Sequence, residues 1–175
     1  MRGTGDGTRK AREDKDVINI TVITLGTLKE SYLSEAVAEY KKRLSLYARV
    51  EEVNIKEERI RNEDDPTEIS RALDSEAEKI LAAIPKGAAT VALCVEGKEY
   101  DSPALAGILG KMADEKGKIA IVIGSSHGLS EKVKSFSDLR LSFSKLTFPH
   151  QLMRVVLMEA LYRSFTILAG KKYHK

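Results

Sequence analysis

Two rhythms of apolar positions alternate along this chain. Val17-Ile18-Asn19-Ile20-Thr21-Val22-Ile23-Thr24-Leu25 is rich in β-branched residues and ends at Gly26, the form of a buried strand closed by a turn. Leu33, Val37, Tyr40, Leu44 and Tyr47 then recur at spacings of four and three with charges between them, an amphipathic helical stripe. Val50 to Ile55 alternates apolar and polar as a half-covered strand, and a charged loop runs from Glu57 to Asp65, ending at Pro66. Ile69, Leu73, Ala77, Ile80 and Ile84 form a second helical stripe, closed by Pro85 and Gly87. Thr90 to Val95 reads as a short strand with Glu96-Gly97-Lys98 as its turn. Leu105, Ile108, Leu109 and Met112 mark a third helix that Asp101 or Ser102 can cap. Lys118 to Ile123 is the most β-like run of the chain. Gly124-Ser125-Ser126-His127-Gly128-Leu129 leads from it into a short helix near Ser130, and Leu139–Leu141 supplies a further strand.

The last segment breaks the amphipathic rule. From Gln151 to Phe165, ten of fifteen residues are apolar, too many for one stripe, so this helix is expected to be buried on more than one side. Pro149 suits its first position, with the cap at Thr147 or Phe148. The Ser, Lys and Thr residues before it form a loop whose backbone N–H groups suit a small polar ligand. The alternation of five strands with five helices predicts an α/β fold, a parallel sheet with helices on both faces. Ligands in such folds bind where loops leave the carboxyl ends of strands, which selects the loops beginning at Leu93, Gly124 and Ser142.

Charge and composition narrow the functional classes. A chain of 175 residues is expected to form one domain over residues 17–175. Residues 1–16, with three glycines, five basic and four acidic residues, read as a disordered leader without the apolar centre of a signal peptide. The net charge of +3 is uneven: residues 140–175 hold seven Lys/Arg against Glu159 alone, which points to a polyanionic partner or simply to a solvated basic tail. Cys94 is the single cysteine, so no internal disulfide forms and a reducing, cytoplasmic setting is expected. No Cys/His cluster has zinc spacing, and no apolar run approaches the roughly 18 residues of a membrane span.

Gly124-Ser125-Ser126-His127-Gly128 lies between a strand and a helix, yet it is neither a dinucleotide fingerprint nor a P-loop, and alone it reads as an ordinary turn. Combined with other segments it becomes specific. These are Gly128-Leu129-Ser130, Leu141-Ser142-Phe143-Ser144, Thr147-Phe148-Pro149-His150-Gln151-Leu152-Met153-Arg154-Val155, Leu161-Tyr162-Arg163 and the terminal Tyr173-His174-Lys175. Together they closely resemble the ribosomal large subunit methyltransferase H family, SPOUT-superfamily enzymes that methylate N3 of pseudouridine 1915 in helix 69 of 23S rRNA. Leu25-Gly26 and Ala38-Glu39-Tyr40-Lys41-Lys42-Arg43-Leu44 extend the match, which covers residues 17–175.

The resemblance implies a C-terminal trefoil knot, which ordinary topology rules would not yield. It implies S-adenosyl-L-methionine held mostly by backbone groups, here those of Leu93, Gly124, Phe143, Ser144, Lys145, Leu146, Thr147 and Phe148. It also implies a homodimer acting on the assembled ribosome, with Arg154, Tyr173 and His174 at the RNA-facing part of the site and the tail arriving from the partner subunit. Residue chemistry agrees: the imidazole of His174 suits a base, Tyr173 can stack on a nucleobase, and Arg154 can grip an anion. His150 is read chiefly as a loop-orienting residue, His127 as a turn residue, Cys94 as a packed core thiol, and Glu159 as a partner of Arg163 or Lys145. Two departures stand out: Ser125 replaces a second glycine, which is harmless if it needs no positive φ, and Ala169-Gly170-Lys171-Lys172 differs from the usual tail. The rival readings are an RNA-binding module without turnover and a flavodoxin-like or dinucleotide domain. The latter is disfavoured by Leu25-Gly26-Thr27, which lacks a Gly-rich phosphate turn.

Overall fold

The structure is a computed structural model in which residues 17–172 are described; the expected leader 1–16 and the residues Tyr173 and His174 lie outside them. Five strands alternate with five helices. In chain order these are β1 (Ile18–Leu25), α1 (Ser31–Leu44), β2 (Ala48–Ile55), α2 (Pro66–Ala83), β3 (Ala89–Glu99), α3 (Ser102–Lys116), β4 (Lys118–Ile123), α4 (Glu131–Phe136), β5 (Leu139–Ser142) and α5 (His150–Leu168). All pairings are parallel, in the order β2-β1-β4-β3-β5.

The period-two alternation of the strands divides the core into two layers. Ile20, Val22, Val91, Ile119 and Ile121 face α1, α3 and α5. Ile23, Leu25, Ala92 and Val122 face α2 and α4. The assignment follows from handedness: β1→β2 and β3→β4 step one way across the sheet, β2→β3 and β4→β5 step the other, and right-handed crossovers place the two sets of helices on opposite faces. Side-chain caps start three of the helices, α2, α3 and α4. The Asp65 side chain accepts from the Thr67 amide at 2.9 Å, Asp101 from that of Ala104 at 2.8 Å, and Ser130 from that of Lys132 at 3.3 Å.

Helix α5 lies between α1 and α3, and Leu157, Met158, Leu161 and Phe165 join one cluster with residues of both. Burial on more than one side is thus achieved within the chain. Its start differs from the expectation: Pro149, at ψ 132°, is the cap and His150 the first helical residue, with no side-chain cap bond. The second difference is in β3. Glu96-Gly97-Lys98 is not a turn but part of the strand, which pairs with β5 twice, Leu93 opposite Leu141 and, after a shift of register, Lys98 opposite Leu141 again. Gly97 makes this possible, because a Cβ there would stand 2.6 Å from the Leu141 carbonyl carbon.

Candidate functional site

The bulge in β3 and the loops that leave β4 and β5 converge on one cavity of about 680 Å³, within the range that holds a drug-sized ligand. Of the eight residues expected to contact a cofactor, Leu93, Gly124, Phe143, Ser144, Leu146, Thr147 and Phe148 line it. Lys145 does not: it is exposed, on the outer side of a loop whose turns are closed by Ser142 Oγ donating to the Ser144 carbonyl at 3.0 Å and by the Leu146 amide donating to Ser144 Oγ at 3.0 Å. Apolar walls come from Leu93, Ile123, Leu129 and Leu141.

The Gly124 turn forms the tightest wall. A Cβ on Gly124 would lie 2.2 Å from the Gly128 carbonyl oxygen, so only glycine allows the chain to fold back there. Ser125 bridges to Gly128 across this turn, and no described non-glycine residue has positive φ, so the departure from a second glycine costs the backbone nothing. Behind the turn, Ser125 is 8% exposed and its hydroxyl approaches Glu76 Oε2 at 3.5 Å. Glu76 is 3% exposed; its Oε1 accepts from the Glu58 amide at 2.8 Å, and burial raises its carboxyl above the ordinary range.

Several residues stand elsewhere than the sequence implied. Cys94 is half-buried on the cavity wall rather than packed in the core, and desolvation pushes its thiol up. His127 and His150 both line the cavity, with Ser126 Oγ 3.3 Å from His127 Nδ1. Arg154 does not line it. Buried to 3% exposure, its guanidinium donates to the carbonyls of Leu25 (2.8 Å) and Gly26 (2.6 Å) and to Asn54 Oδ1 (3.1 Å), tying α5 to the ends of β1 and β2. Its Nε is buried without a partner among the described residues, and desolvation lowers its pKa. Glu159 pairs with Arg163 at i+4, as expected. Sequence reasoning missed Glu96 and Lys134, which form an ion pair on the cavity wall. Their contact spans the β3 bulge and α4 and had no local signal.

Among the described residues no cluster of His, Cys, Asp and Glu could hold a metal, and no helix is long and apolar enough to cross a membrane. The sequence profile of the family described as "Predicted SPOUT methyltransferase" matches residues 18–174. The chain is 47% identical over 156 residues to the ribosomal RNA large subunit methyltransferase H of Caldicellulosiruptor bescii, covering 89% of this chain and 99% of that one. It is 46% identical over 159 residues to the protein of the same name from Listeria monocytogenes, covering 90% and 100%. Among solved structures, tRNA (m1G37) methyltransferase from Aquifex aeolicus superposes with a TM-score of 0.51 at 14% identity, over 91% of this chain and 75% of that one, a likeness of fold alone.

Proposed function

We propose, from the premise that this chain belongs to the SPOUT methyltransferase family, that it transfers a methyl group from S-adenosyl-L-methionine to N3 of pseudouridine 1915 in helix 69 of 23S rRNA, on the assembled ribosome. An rRNA methyltransferase is the activity named for relatives that match nine-tenths of the chain. The observation that carries the reading is the cavity at the ends of β3, β4 and β5, walled by the Gly124 turn and the Phe143–Phe148 loop.

The cavity fits the cofactor on its own chemistry. Apolar walls suit a nucleobase, the volume suits a nucleoside with an amino-acid arm, and a cradle that a Cβ at Gly124 would fill lets backbone groups approach closely. Leu93, Gly124, Phe143, Ser144, Leu146, Thr147 and Phe148 would hold it, and when bound it supplies an electrophilic methyl on a sulfonium. The chain's own residues then need only align the RNA and remove the N3 proton. His174 serves as that base, an imidazole being able to take up the proton; Tyr173 stacks on the target nucleobase. Arg154 takes part from beneath, its guanidinium fixing the carbonyls of Leu25 and Gly26.

A trefoil knot belongs to the same proposal. Its support is the double pairing of β3 with β5 and the close approach of Gly97 to the Arg140–Leu141 backbone, on either side of the Leu93–Lys98 bulge. A homodimer, cytoplasmic like its substrate, would bring the tail of one subunit to the cavity of the other. The test is transfer of a labelled methyl from S-adenosyl-L-methionine to ribosomes lacking the modification: incorporation into 23S rRNA is expected, and its absence with both ligands present contradicts the reading. A His174→Ala variant with full activity on those ribosomes would remove the base from it.

A further inference from the structure

The bulge in β3 places Glu96 on the cavity wall beside Lys134 of α4. Their ion pair is part of a fixed set of charges. The Lys134 side chain, 14% exposed, also reaches Glu131 at 3.2 Å. Arg140 stands 3.6 Å from Glu131 and donates through Nε to the Lys134 carbonyl at 3.1 Å. Two acids and two bases cancel, and the Lys134 hydrogen bond holds the Glu96 carboxyl below its ordinary range. A carboxylate so neutralised attracts a cation weakly but still accepts hydrogen bonds, and with about four lone-pair sites it has room for donors beyond Lys134. Neutral donors in an adjacent pair are what a nucleoside's ribose presents, and carboxylates are the usual protein acceptors for them.

We infer that Glu96 is the acceptor for the vicinal ribose hydroxyls of the nucleoside cofactor, and that Lys134 is the residue that positions it. The inference rests on the S-adenosyl-L-methionine reading above, and it concerns affinity, which is measured without RNA. Calorimetric titration of S-adenosylhomocysteine and of its 2′,3′-dideoxy counterpart is compared for the native protein, Glu96→Ala and Glu96→Gln. Loss of charge-assisted hydrogen bonds predicts that the native protein binds the dideoxy ligand about tenfold or more weakly, while Glu96→Ala separates the two by about threefold or less. Glu96→Gln, which keeps one neutral acceptor and the side chain's shape, falls between and carries the test if the alanine variant does not fold. Equal discrimination in native and variant proteins overturns the inference and leaves the cofactor reading standing. Failure of the native protein to bind S-adenosylhomocysteine at all overturns both. Lys134→Met removes the group that holds the Glu96 carboxyl low, so binding of the hydroxylated ligand should fail at a higher pH on the acid side. An unchanged acid limb overturns the positioning role.

Discussion

Glu76 is a carboxyl held where water is scarce, beneath the Gly124–Ser125 wall and near Glu57 and Glu58. Its folded pKa is raised, so its contribution to stability is complete below the ordinary carboxyl value and is lost as pH rises through the folded one. Glu76→Gln keeps an oxygen for the Glu58 amide and cannot ionise. It should therefore melt about 2–4 °C above the native protein at pH 7–8, with the advantage vanishing at about pH 4, as followed by calorimetry. Arg154 makes the opposite case, a buried cation whose partners are two carbonyls and an amide. Arg154→Ala strands these acceptors and should cost about 3 kcal/mol in urea denaturation, with loss of methyl transfer. Arg154→Lys cannot reproduce the fork and should recover only part of that loss.

Elements were legible to the extent that their signals were local. Strands announced by β-branched runs, helices by stripes and the cap at Asp101 formed within a few residues of expectation. Strand-end logic likewise picked segments that line the cavity, although the one beginning at Leu93 is a bulge within β3 rather than a loop leaving it. What stayed hidden depends on chain segments far apart in sequence. Glu96-Gly97-Lys98 has the composition of a turn, and only the passage of Arg140–Leu141 against Gly97 makes it strand. Arg154 resembles an anion-binding residue until the carbonyls of Leu25 and Gly26, 129 and 128 residues earlier, meet it. Lys145 belongs to the same loop but is exposed and outside the cavity lining. The closely approached glycines give a direct check on this layer. Gly97→Ala pushes a Cβ into the Leu141 backbone and should destabilise the fold by about 1–3 kcal/mol while weakening S-adenosylhomocysteine affinity. Asp101→Ala, outside the cavity lining, should cost about 1 kcal/mol through its lost cap and leave affinity unchanged.

At the scale of the molecule, the sheet holds the β3 bulge and two loops against one another around the proposed nucleoside site, while the residues proposed to meet RNA are those of the tail. The apolar surface of α5 is largely covered by α1 and α3, so the proposed homodimer rests on the family resemblance and its tail rather than on an uncovered helix face. Sedimentation should therefore give twice the 19.4 kDa of the chain, and removal of residues 173–175 should abolish methyl transfer while retaining cofactor affinity. The most direct measurement is mass spectrometry of 23S rRNA after ribosomes from a strain lacking the modification are incubated with this protein and S-adenosyl-L-methionine. A single added methyl on the helix 69 pseudouridine is the predicted result; no methyl there, with cofactor binding demonstrated, would contradict the account.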